Sequence, residues 1–118
     1  MSRTRLIGQR GEDLAAAWLI ARGRQVVDRN WRCAAGELDL ITLDGDQLAV
    51  VEVKTRTGVG FGHPAEAVTA QKLHRLRRLT GLWLAAHHCR PAGIRVEVLA
   101  VLLPSHGPVR YELLAGER

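Results

Sequence analysis

The stretch Leu48-Ala49-Val50-Val51-Glu52-Val53-Lys54-Thr55 constrains this chain most. It reads as a strand, because β-branched residues dominate it and a turn signal, Asp44-Gly45-Asp46, precedes it. Its apolar first half predicts a strand covered on both faces. Side chains alternate across a strand, so Val51 and Val53 share one face while Glu52 and Lys54 share the other. An acid and a base in such a strand are costly unless paired, hydrogen-bonded or bound to a metal. Local violations of this kind tend to mark functional sites.

The preceding segment, Gly36-Glu37-Leu38-Asp39-Leu40-Ile41, repeats the conflict, with Asp39 inside an apolar run. A hairpin that pairs Asp44 with Gln47 sets Asp39 opposite Glu52. A register one residue different leaves them diagonal neighbours. Like charges directly opposite destabilise a sheet. A hard divalent cation between them removes that penalty, since Mg²⁺ takes one or two carboxylates plus waters and substrate phosphate. Lys54 stands on the face of Glu52, two residues along. Two carboxylates and a lysine converging on a metal suit phosphodiester hydrolysis. Glu37 has the strand parity of Asp39 but lies earlier, at the edge of such a site.

Asp39 followed by Glu52-Val53-Lys54 resembles the Asp…(Asp/Glu)-x-Lys signature of the PD-(D/E)xK nuclease superfamily. Leu38 stands where the superfamily name has proline. Gly8-x-x-Gly11-Glu12, Asn30-x-Arg32, Gly36 to Ile41, Val51 to Arg56 and Phe61-Gly62 together resemble the bacterial YraN family, also called UPF0102, which is similar to archaeal Holliday junction resolvases. The resemblance implies a restriction-endonuclease-like mixed β-sheet flanked by helices. It implies a metal-dependent endonuclease acting on structured or branched DNA. Asp39 and Glu52 would hold Mg²⁺ or Mn²⁺, with the Val53 carbonyl and Glu12 as further ligands. Lys54 would orient or deprotonate the attacking water. It also implies a site role for Lys72, and a symmetric homodimer that cuts two strands.

One domain is expected from 118 residues, of which 47% are hydrophobic. The formal charge of +5 and a pI near 10.2 suit a polyanionic partner such as DNA. Cys33 and Cys89 make no disulfide framework. No signal peptide is visible and no apolar run approaches membrane length, so a cytoplasmic chain with reduced thiols is expected.

The elements read in the order α-β-β-β-α-β-β, which favours a mixed α/β sheet. Residues 7–22 form an amphipathic helix stopped by Gly23. Glu12 begins the stripe Ala15, Ala16, Leu19 that faces the sheet, so it is either a solvated first-turn acid or a member of the site. Strands follow over 25–32, 36–43 and 47–55. The glycine-containing loop 57–64 is either an ordinary connection or a segment that grips substrate. The second helix spans 65–88, with Leu73, Leu76, Thr80, Trp83, Leu84 and His87 on one side. Gln71, His74, Arg75 and Arg78 lie opposite, either solvated or tracking phosphates. Arg32 and Arg56 are further phosphate candidates, and Lys72 flanks the apolar stripe. Strands at 94–103 and 109–114 complete the chain, with Glu97 facing solvent or an arginine. Trp31 either packs in the core or stacks on a base. His87-His88-Cys89 lacks the second ligand pair of a zinc site, and no phosphate loop or dinucleotide fingerprint is present. A non-catalytic nucleic-acid-binding module with the same fold is the alternative expectation.

Overall fold

The computed structural model describes residues 2–58 and 68–115. The chain forms helix α1 (Arg3–Ala21), strands β1 (Gln25–Cys33), β2 (Gly36–Asp44) and β3 (Gln47–Thr57), helix α2 (Ala70–His87), and strands β4 (Gly93–Leu103) and β5 (Arg110–Ala115). The five strands make one mixed sheet in the order β1-β2-β3-β4-β5. All neighbours are antiparallel except β3 and β4, which run parallel on either side of α2. A parallel pair needs a long crossover, and α2 belongs to it. The expected loop 57–64 and the expected start of the second helix at 65 fall largely on residues 59–67, outside the described residues.

Helix α1 starts earlier than its apolar periodicity predicts, at Arg3 instead of residue 7. The reason is a cap: the Ser2 hydroxyl accepts a bond from the Arg5 N–H at 3.1 Å. Thr69 caps α2 in the same way through the Lys72 N–H. At the other end of α2, His88 adopts φ 51° and turns the chain out of the helix.

The hairpin between β2 and β3 pairs Asp44 with Gln47 and runs to Leu40 opposite Val51. Gly45 occupies the turn at φ 63°, a conformation that glycine adopts without steric cost. The centre of the sheet is covered on both faces, and Leu48, Ala49, Val50 and Val51 are all fully buried. One core packs Leu48, Val50 and Val96 under α2 residues Leu73, Leu76, Leu79 and Trp83. The other packs Val51, Leu99 and Val101 against α1 residues Ala15, Ala16 and Leu19. The two helices therefore lie on opposite faces of the sheet.

That assignment exposes a break in the outer strands. Leu38 packs on the α2 side and Leu40 on the α1 side, although regular alternation puts both on one face. In β1, Arg29 reaches Asp13 of α1 at 2.6 Å while Trp31 packs toward α2. Both strands switch phase together, at Asn30 and Asp39. Asn30 makes the switch with φ 52°, a left-handed conformation that asparagine tolerates better than most residues.

Glu97, left between solvent and arginine by the sequence, is buried and takes two bonds from Arg24, at 2.6 and 3.3 Å. Trp31 meets His87 edge-on at 6.3 Å, and so belongs to the packing around α2. No helix among the described residues is long and apolar enough to cross a membrane.

Candidate functional site

The phase break decides where Asp39 goes. Its carboxylate Oδ2 accepts a bond from the Val53 N–H at 2.9 Å, beyond the last regular pair, Leu40 with Val51. The side chain thus stands in for a ladder bond and binds β2 to β3 at the start of the Glu52-Val53-Lys54 segment. Burial pushes the Asp39 carboxyl up to about 7. The Val53 bond opposes that rise, and the carboxylates of Glu12, Glu52 and Glu37 add to it.

Glu12 arrives from α1 because Gly11 lets the helix lie close on β3. A Cβ at Gly11 would collide with the Thr55 side chain. Burial first, and then Glu37, raises the Glu12 pKa; Arg29 and Asn30 oppose the shift. With its amide nitrogen turned toward the acids, Asn30 donates to Glu12 Oε1 at 2.7 Å and to Glu37 Oε1 at 3.3 Å. The residue that makes the strand bend therefore also holds two carboxylates. Its signal in the sequence is an asparagine just before a tryptophan, with nothing local to reveal the acids it joins.

Glu52 projects toward α2. Its Oε1 accepts from Arg75 at 3.1 Å, and Lys72 Nζ lies 3.1 Å from Oε2. The Lys72 contact is an ion pair without hydrogen-bond geometry, which leaves Oε2 buried and without a hydrogen-bond partner among the described residues. Lys54 shares the parity of Glu52. Burial lowers the Lys54 pKa, Arg56 and Lys72 lower it further, and Glu52 opposes them.

Asp39, Glu12 and Glu37 thus line one cleft of about 510 Å³, together with Arg5, Gly8 and Arg32. A second cleft, about 490 Å³, is lined by Lys72, His74, Arg75 and Arg78 on α2. Of the basic candidates, Lys72 and Arg75 are engaged with Glu52, Arg32 lies 3.6 Å from Glu37, and Arg56 and Arg78 are exposed. Among the described residues, no three acid, histidine or cysteine side chains are gathered closely enough to hold a metal as they stand.

Comparison with known proteins shows the family to which the chain belongs. The model of "Uncharacterised protein family UPF0102" matches residues 11–101, from the glycine before Glu12 to near the end of β4. The chain belongs to the UPF0102 family. A UPF0102 protein of Beutenbergia cavernae is 54% identical over 110 residues, covering 93% of each chain. One of an Arthrobacter species is 50% identical over 111 residues, covering 94% of each. One of Nocardia farcinica is 54% identical over 110 residues, or 92% of this chain and 87% of that one. Asn30, Asp39, Glu52 and Lys54 all lie within the UPF0102 match, and so do Lys72 and Arg75. Arg5 and Gly8 lie outside it.

Proposed function

We propose that this UPF0102 chain is a metal-dependent endonuclease with a restriction-endonuclease-like fold, acting on structured or branched DNA. One observation carries the reading. Asp39 is a partly buried acid pushed up to about 7 beside three other carboxylates, and it is tied to the strand that carries Lys54. Buried acids that repel one another, next to a lysine eased toward neutrality, suit a site that expects a cation and a proton transfer.

The donors are hard oxygens, which fits Mg²⁺ or Mn²⁺. Asp39, Glu52 and the Val53 carbonyl would hold the ion, with Glu12 binding directly or through water. When bound, it supplies Lewis-acid charge and a template at the phosphate. Glu52 must turn from Lys72 and Arg75 to join that set, and its unsatisfied Oε2 makes the present pairing incomplete. Lys54, with its lowered pKa, orients or deprotonates the attacking water and offsets charge growing on the phosphate. Arg32, Arg56 and Arg78 grip flanking phosphates as positive points on an overall basic chain.

A second reading is a non-catalytic nucleic-acid-binding module on the same scaffold. The clasp of Lys72 and Arg75 on Glu52 favours it, because that acid is already partnered.

The test is cleavage of a panel of branched, single-stranded and duplex DNA by wild type, Asp39→Ala and Lys54→Ala in Mg²⁺ or Mn²⁺. The nuclease reading expects cleavage by wild type and a loss of at least about 10²-fold in each variant. Full cleavage by either variant contradicts the assigned roles. Binding without cleavage, with affinity unchanged or raised in Asp39→Ala, establishes the second reading.

A further inference from the structure

Helix α1 carries two glycines, Gly8 and Gly11, and only one is explained by packing. Gly11 makes room for Thr55. Among the described residues, no atom lies within 4 Å of the place where a Cβ at Gly8 would stand, and the Gly8 backbone is ordinary helix. Glycine inside a helix is less stable than alanine, so this position gives up stability with no internal return. Gly8 does line a cleft of about 510 Å³, within the roughly 300–1,000 Å³ range of ligand sites.

The cleft has a direction. Arg5, Gly8 and Glu12 follow one another at helical spacing along α1, and all three line it. Arg5 therefore stands about 10 Å from Glu12, two turns away. Asp39 and Glu37 join Glu12 at the acidic end, and Arg32 adds a second cation to the wall. Between the cation and the acids, the bare helix backbone at Gly8 is the surface on which an incoming chain lies closest.

We propose that a nucleic-acid strand crosses α1 at Gly8, its sugar-phosphate backbone lying against the helix, with Arg5 on a phosphate flanking the one held at the acids. This rests on the nucleic-acid reading above and names the strand's path into that site. Gly81 of α2 is an internal control, being equally open and lining neither of the clefts described above.

The experiment is fluorescence anisotropy with labelled four-way DNA junction, single-stranded DNA and single-stranded RNA, in EDTA and again in Ca²⁺. Gly8→Ala and Gly8→Leu are compared with Gly81→Ala, Arg5→Ala and wild type, with a thermal melt of each. Both residues placed at Gly8 are good helix formers, so Tm should hold or rise by a few degrees. The groove predicts that Gly8→Leu weakens binding at least about tenfold by steric exclusion, and Gly8→Ala by less. Arg5→Ala should reduce the salt slope by about one on duplex arms. Gly81→Ala should leave affinity unchanged. Wild-type affinity in a folded Gly8→Leu overturns the groove while leaving the nucleic-acid reading intact. If Gly8→Leu does not fold, undiminished affinity in Gly8→Ala overturns it. Failure of wild type to bind any probe overturns both.

Discussion

Glu97 and Asp39 are both acids set in apolar strands, yet their surroundings are opposite. Glu97 faces cations, with Arg24 bonded to both its oxygens and Arg95 at 3.6 Å. Arg95 in turn bonds Asp44 at 2.9 Å, so the network closes on the turn between β2 and β3. Among the described residues, Asp39 takes one bond, from a backbone donor, and feels the charges of Glu12, Glu52 and Glu37. The first arrangement lowers its own electrostatic cost and holds the fold together. The second is held by the fold against its own electrostatic preference. An acid kept in place under repulsion is the better marker of a site that awaits a positive charge.

The largest effect expected from this contrast is at Glu97. Its side chain and that of Arg24 are 5% and 8% exposed, so Glu97→Ala leaves a buried guanidinium with only the longer, 3.9 Å contact to Asp44. The expected loss is about 3–5 kcal/mol of unfolding free energy, measured by urea denaturation. A loss below about 1 kcal/mol, the scale of exposed pairs, would erase the distinction between the two regions.

Asp39→Asn should do the reverse. The folded-state pKa of about 7 lies above the ordinary 3.8, so between these values the native protein binds more protons than the unfolded chain. Stability contributed by this group is then full below about pH 4, falls as pH rises and levels off above about pH 7. The span is roughly 2–4 kcal/mol. Asparagine keeps an acceptor for the Val53 N–H and removes the charge. Asp39→Asn should therefore be more stable than wild type at pH 8 and should flatten the decline between pH 4 and 7. A wild-type profile in the variant would show that neither burial nor the neighbouring carboxylates raise the Asp39 pKa.

Gly11→Ala probes how the acids are brought together. The added methyl collides with Thr55, so α1 must retreat or β3 must shift, at about 1–3 kcal/mol. Thr55→Ala with Gly11→Ala, which removes both the hydroxyl and the methyl that the new Cβ would meet, should recover part of that loss. The smallest effect belongs to Arg32, whose pairing with Glu37 at 3.6 Å is exposed. Arg32→Ala should change stability by less than about 0.5 kcal/mol, while lowering the salt slope of DNA binding by about one if it meets a phosphate.

The central hairpin was legible because its turn and alternation are local. Pairing of Asp44 with Gln47 follows from Gly45, and the apolar run from Leu48 to Val51 announces a strand covered twice. Leu73, Leu76, Thr80 and Trp83 likewise show their buried face at helical spacing. Glu12 was legible as an acid at the head of an apolar stripe, but whether it reached the other acids depended on how closely Gly11 lets α1 approach. The phase break at Asn30 and Asp39 was not legible. Strict alternation puts Leu38 and Leu40 on one face, and only the joint bend of two paired strands separates them. The engagement of Glu52 by Lys72 and Arg75 was hidden for a similar reason. It joins residues about twenty positions apart across a parallel crossover, where no short-range spacing applies.

The central claim is that Asp39 and its neighbouring carboxylates are arranged to receive a divalent cation. Its most direct test is calorimetric titration of Mn²⁺ into wild type and Asp39→Ala at pH 7, repeated in two buffers of different ionisation enthalpy. The account predicts binding to wild type with release of a fraction of a proton, because Asp39 is then about half protonated, and neither binding nor proton release in Asp39→Ala. Equal binding in both proteins, or none by wild type with or without a DNA junction present, would contradict it.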